Sequence, residues 1–122
     1  LLIGPAIAIP LILKRNGMTL DDIDRFEIHE AFAAQVLSCL RSMESAEFMD
    51  RYFNDKPLGA IPEDKLNVNG GAIAIGHPFG ATGSRLVNTL SNELIRSDKE
   101  TGLVAICAAG AMAGAMIIER IS

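Results

Sequence analysis

Between Gly102 and Ile118 the chain carries no charged side chain, and this run constrains the fold more than any other segment. It holds a GxxxG pair at Gly110 and Gly114, the spacing at which membrane helices pack closely. It falls short of the ~20 residues needed to cross a bilayer, so no membrane span is expected. It also divides naturally where small residues gather. Leu103–Cys107 and Ala113–Glu119 are expected as two buried strands, with the chain turning between them.

The rest of the chain alternates helix and strand signals. Gly4-Pro5 opens an apolar run to Leu13, closed by Lys14, Arg15 and Gly17, which predicts a short helix with a basic last turn. Pro10 lacks a donor and predicts irregularity there. Thr19 before Asp21 and Asp22 predicts a capped single turn. Arg25–His29 is expected as a strand. A helix is expected from Glu30, with Phe32, Val36, Cys39, Leu40 and Met43 at helical spacing. Ser45–Phe53 predicts a second helix and Asn54–Leu66, with two prolines and a glycine, a surface connection. After the turn-rich Asn67–Gly80 stretch, Ala81–Ser97 predicts an amphipathic helix with Leu86, Leu90, Leu94 and Ile95 on one stripe. The order suggests one layered α/β unit: a mixed β-sheet packed with helices.

Length and composition set outer bounds. The chain's 122 residues suit one domain with a core, and 49% hydrophobic against 21% charged residues excludes a disordered chain. A net charge of −4 argues against nucleic acid as a partner. An anionic ligand would need backbone N–H groups or a partner's positive charge. Leu1 is not an initiator Met and no charged segment precedes the apolar start, so a piece of a longer chain is expected rather than a signal peptide. Cys39 and Cys107 have no zinc spacing; free thiols and no metal are expected.

Three side chains suit proton or nucleophile work. His29 closes a strand, His77 sits in a glycine-rich loop before a helix, and Cys107 ends a strand. In open α/β folds such positions gather on the rim at the carboxyl ends of strands. Each also has a plainer role: a structural strand-end His, a stiffened loop beside Pro78, a small buried hydrophobe. Cys39, on the apolar stripe, belongs to the core. His29-Glu30 begins like HExxH, but position 33 is Ala, and the glycine-rich loop matches neither GxxxxGK[ST] nor GxGxxG.

Taken together, three strings resemble the thiolases. They are His29-Glu30-Ala31-Phe32-Ala33, the continuous Asn67–Gly83 string, with Asn67-Val68-Asn69-Gly70-Gly71 and Gly76-His77-Pro78-Phe79-Gly80 inside it, and Cys107-Ala108-Ala109-Gly110. Gly4–Asp24 resembles the stretch that precedes them, so the likeness covers essentially the whole chain. Most thiolases have Asn where His29 stands and commonly Gly where Ala109 stands. Those departures, with Phe79, are similar to the thiolase subunit of the fatty-acid oxidation trifunctional complex. The resemblance implies that residues 1–122 form one thiolase C-terminal domain, with the N-terminal half, its nucleophilic Cys and the inserted loop region absent.

It also implies a reaction: reversible acyl transfer between an enzyme Cys and coenzyme A, as a 3-ketoacyl-CoA thiolase in fatty-acid β-oxidation, inactive without the missing half. Coenzyme A would be substrate, and no cofactor is expected. His77 would activate the thiol from the other half, as imidazole exchanges protons near neutral pH. Cys107 would exchange the proton of the leaving acetyl-CoA. His29, in place of Asn, would serve an oxyanion hole directly or through water, and the Ala109 N–H a second hole. Phe32 and Gly110 fall at substrate-binding positions, although Phe32 equally fits a helix core. Expected partners are acyl-CoA and CoA, the missing half, a second copy in a homodimer or larger assembly, and a hydratase/dehydrogenase subunit. The expected compartment is the cytoplasm, with the mitochondrial matrix as the alternative. Two rivals remain: a ketoacyl-synthase-like condensing enzyme, using one Cys with two His, and a non-catalytic interaction module of thiolase fold.

Overall fold

The computed structural model describes residues 2–121. Helix α1 (Pro5–Asn16) starts at a proline, where a missing N–H costs nothing, and ends at Gly17 in the left-handed region with φ 64°. It runs through Pro10, which is buried, rather than losing its first turn. A single 3-10 turn (Leu20–Asp22) follows, where the Asp22 carboxylate accepts the Thr19 N–H and hydroxyl. Then come β1 (Arg25–Ile28), α2 (Ala33–Glu44) and α3 (Ala46–Phe53), whose N-cap Ser45 accepts the Phe48 N–H. A one-turn helix α4 (Ala72–Ile75) and the long α5 (Thr82–Arg96) lead into β2 (Thr101–Ala108) and β3 (Met112–Glu119).

The three strands form one mixed sheet in the order β1-β2-β3. β1 and β2 are parallel, with Ile28 opposite Ala105, while β2 and β3 form an antiparallel hairpin closed by Ala109–Ala111. The uncharged run is therefore a hairpin, and among the described residues no helix is long and apolar enough to cross a membrane. Helices cover both faces. Ala6, Ile9 and Leu13 of α1 and Val36, Cys39 and Met43 of α2 pack on Phe26, Ile28, Leu103 and Ala105. On the other face Leu86, Leu90 and Leu94 of α5 pack on Val104. The expected α2 stripe holds at Val36, Cys39, Leu40 and Met43 but not at Phe32, which lies outside the helix and is exposed, and Cys39 lies in the core.

Four expectations need correction. β3 is not a buried strand: it is the sheet edge and most of its residues are exposed or half-exposed, because no further strand covers it. α2 begins at Ala33, not Glu30, because Phe32 is extended and the Glu30 carboxylate is engaged elsewhere. Ile95 leaves the α5 stripe and is exposed, since Leu94 already fills that face. The Asn54–Leu66 connection is not wholly superficial, for Ile61 reaches the core.

Leu90 shows how tightly α5 sits. It is fully buried, and a Cβ at Gly102 would approach its side chain to 2.7 Å, so β2 needs glycine there for the helix to close down. Leu90→Ala is expected to cost about 2–5 kcal/mol of unfolding free energy, read from denaturant titration. A cost under about 1 kcal/mol would show that α5 is loosely held.

Candidate active site

The parallel β1–β2 pair delivers two of the expected groups to one rim. The His29 N–H donates to Ala105 O at 2.9 Å, extending the ladder one residue past β1. Cys107 lies two residues further along β2. His77 arrives from the loop between α4 and α5, and its ring centroid sits 4.3 Å from that of His29 at a 44° tilt. All three side chains line one cavity of about 330 Å³, shared with Glu30, Phe32, Ala72, Ile73 and Ala109. Larger grooves exist; the one between α2 and α3, about 480 Å³, has no imidazole or thiol in its wall.

Phe32, 64% exposed, is not a helix-core residue; it stands at the mouth of this cavity. Ala109 lines it, whereas Gly110, at φ 81° in the hairpin turn, does not. Phe79, 89% exposed, lies beside the His77 ring. Both cysteines are free thiols, and among the described residues no cluster of His, Cys, Asp and Glu could hold a metal ion.

The loop carrying His77 is suspended from polar side chains that sequence reasoning did not single out. Asn67 takes a left-handed backbone, φ 46°, and lays its side chain along β1. Its Oδ1 accepts the Ile28 N–H at 2.8 Å, and its Nδ2 donates to Ile28 O and to Glu30 Oε1. The other Glu30 oxygen accepts the Ile73 N–H at 3.1 Å. A Cβ at Gly71 would come within 2.7 Å of that carboxylate, so glycine is required for the approach. Asn69 donates to Glu93 on α5 at 2.9 Å, where Arg96 and Arg25 also bind. Arg85 donates to Gly76 O at 2.9 Å, and His77 Nδ1 lies 2.7 Å from Thr82 Oγ1. The legible signals were the paired asparagines, the Glu beside His29 and a hydroxyl one helical turn past His77.

Electrostatics separate the groups. Burial, then the neighbouring His77 and Arg85 charges, hold the His29 imidazole below its ordinary value, which favours the neutral ring. Its Nδ1 is buried without a partner. Burial pushes the Cys107 thiol up, so it keeps its proton at neutral pH. Burial does the same to Cys39. Neither cysteine is thus an activated nucleophile.

A family profile described as thiolase, C-terminal domain, matches residues 1–120. The chain belongs to the thiolase C-terminal domain family. It is 47% identical over 120 residues to the mitochondrial trifunctional enzyme subunit beta of Rattus norvegicus, covering 98% of this chain and 25% of that protein. It is 48% identical to a 3-ketoacyl-CoA thiolase of Colwellia psychrerythraea, covering 98% of this chain and 28% of that one. The solved acetyl-CoA acetyltransferase of Syntrophomonas wolfei superposes with a TM-score of 0.81 at 35% identity, over 98% of this chain and 27% of that chain. The thiolase domain thus spans about a quarter of the length of these relatives.

Two predictions follow from the polar groups of this thiolase domain. Asn67→Ala strips the partners from the Ile28 N–H and carbonyl, so unfolding free energy should fall by about 1–3 kcal/mol for each group left unsatisfied. Unchanged stability would mean that water replaces the side chain. Glu27, almost wholly buried, has its carboxyl pushed up to about 7, by burial first and then by Glu30 and Glu93, against the pull of Arg85. Its folded value lies above the ordinary 4.5, so the native state holds the proton longer and stability falls as pH rises from about 4.5 through about 7. Glu27→Gln should flatten that slope in melting curves taken between those pH values; an unchanged slope would assign it to other groups.

Proposed function

We propose that this domain is the acid–base half of a 3-ketoacyl-CoA thiolase, serving a nucleophilic cysteine carried outside these 122 residues. The observation that carries the reading is the meeting of His29, His77 and Cys107 on one cavity wall that contains no activated thiol of its own. His77 takes the proton of the incoming thiol. The resulting thiolate attacks the 3-keto carbon of the acyl-CoA. The bond between C2 and C3 breaks, the acyl group stays on the nucleophile as a thioester, and the acetyl-CoA enolate takes a proton from Cys107. An entering CoA thiol then returns a proton to the Cys107 thiolate and attacks the thioester; the nucleophilic cysteine is expelled as a thiolate that takes back the proton held by His77, and the shortened acyl-CoA leaves.

Each step makes negative charge on oxygen, and donors aimed at it are worth about 2.7–4 kcal/mol apiece. His77, His29 directly or through water, and the Ala109 N–H fill those places. Phe32 at the cavity mouth offers an apolar surface to the pantetheine arm, and Gly110 shapes the turn beyond it. Coenzyme A is a substrate, and the chemistry needs no further cofactor.

A thiolase N-terminal half outside these 122 residues is the partner that this reading requires. Ile73, Ile75 and Phe79 stand exposed near the site, and β3 offers an open edge, which supports a covering segment. A homodimer or larger assembly and a hydratase/dehydrogenase subunit fit the likeness to the trifunctional beta subunits. The matrix suits their mitochondrial name, and the cytoplasm suits the likeness to the Colwellia thiolase. The two rival readings lack comparable support: the His77-Pro78 pair and the Cys107 string favour a thiolase over a condensing synthase.

The test uses the full-length protein. Cys107→Ala should abolish thiolysis of a 3-ketoacyl-CoA yet leave acyl loading from an acyl-CoA intact, read by mass spectrometry of the intact enzyme. Thiolysis at the unmodified rate in that variant would refute the assignment of the acid.

A further inference from the structure

Thr82 occupies the first position of α5 and is wholly buried. Its Oγ1 has two neighbours. It donates to Pro78 O at 3.1 Å, and it lies 2.7 Å from His77 Nδ1. A hydroxyl has one hydrogen to give and two lone pairs to receive. With the hydrogen committed to Pro78 O, the side facing the imidazole is a lone pair. The ring nitrogen there must bring the proton.

We infer that Thr82 is a positioning residue that fixes neutral His77 as the Nδ1–H tautomer, leaving a bare Nε2 to accept the proton of the attacking thiol. The inference rests on the thiolase reading for its consequence, though not for its geometry. A histidine's tautomer is set by the hydrogen bond made at its other nitrogen. Burial of Thr82 keeps solvent from competing for that bond. The same Pro78 carbonyl also accepts the Ala81 and Thr82 amides, both at 3.0 Å, so the hydroxyl joins the shared acceptor that starts the helix. The opposite arrangement, with the hydroxyl donating to Nδ1, would put the proton on Nε2 and make the ring a donor. It could not then take up the thiol proton. The device resembles the third member of a triad, holding the base without touching substrate.

The full-length enzyme labelled with 15N-histidine gives the readout, with the His77 signals identified by their loss in His77→Gln. With the ring neutral, wild type and Thr82→Ser should show a protonated Nδ1 and a bare Nε2. Thr82→Val, which keeps the shape without the hydroxyl, should shift the ring toward Nε2–H. Acyl loading should slow about a hundredfold in Thr82→Val, while Thr82→Ser stays within about threefold of wild type. An Nε2–H ring in wild type overturns the inference, as does Thr82→Val with unchanged tautomer and loading. Should Thr82→Val not fold, Thr82→Ala against Thr82→Ser isolates the hydroxyl, since both lack the methyl; equal loading in that pair overturns the inference. If no acyl-CoA loads wild type while the tautomers behave as described, the assignment of the proton stands and the thiolase reading falls.

Discussion

Everything at the site depends on β1 and β2 running parallel. Parallel neighbours bring their carboxyl ends to the same rim, so His29 and Cys107 arrive together although 78 positions separate them in the sequence. The register does the fine placement. Ile28 opposite Ala105 leaves the His29 N–H one ladder bond beyond the strand, and that bond fixes where the imidazole leaves the backbone. An antiparallel pair would send the two side chains to opposite ends of the sheet. Packing on both faces is what holds the register. In β1 the apolar Phe26 and Ile28 face α1–α2, and in β2 Leu103 and Ala105 face α1–α2 while Val104 faces α5, so a one-residue slip would turn each set toward the wrong helices.

His77 is placed by a different kind of force. The Asn67–Gly80 stretch has little regular structure and much glycine, and it is costly to order. Hydrogen bonds from its surroundings order it instead. Asn67 imitates a strand residue against Ile28, Glu30 takes the Ile73 amide, Glu93 takes Asn69, and Arg85 takes the Gly76 carbonyl. These partners come from β1, the turn after it, and α5. The loop is therefore keyed to the element that carries His29.

Much of this was legible in the chain. The strands at Arg25 and Leu103, the α2 stripe apart from Phe32, the α5 stripe apart from Ile95, and the Gly17 stop each follow from local chemistry, and all appear. The three strings that resemble thiolases located the cavity wall. What failed was mostly tertiary. The exposure of β3 depends on what lies beside it in space, and an apolar strand reads the same whether or not a neighbour covers it. The start of α2 depended on Glu30 bonding a segment some forty residues away, which no local propensity encodes. α4 hid in a glycine-rich context where four residues, Ala72–Ile75, make one turn. The partners of Asn67 and Thr82 were hidden for the same reason, although the asparagine pair and the nearby hydroxyl could be read as signals. Each is an ordinary polar residue until its partner is known.

The two cysteines show why local environment, more than identity, decides chemistry. Both thiols are buried and both are pushed toward the protonated form. Cys39 is closed in between α1, α2 and the sheet, where Gln35 Nε2 lies 3.5 Å from its sulfur, and it packs as a small hydrophobe. Cys107 meets a cavity and two imidazoles. A thiol that resists ionisation makes a poor nucleophile, and it keeps its proton until a stronger base, such as an enolate carbon, takes it. On the reading proposed above, the acid sits here and the attacking thiol comes from outside these 122 residues, so that each sulfur has an environment of its own. One site cannot both raise and lower the pKa of adjacent thiols by burial alone. On that reading, dividing them between two halves of a fold resolves the conflict.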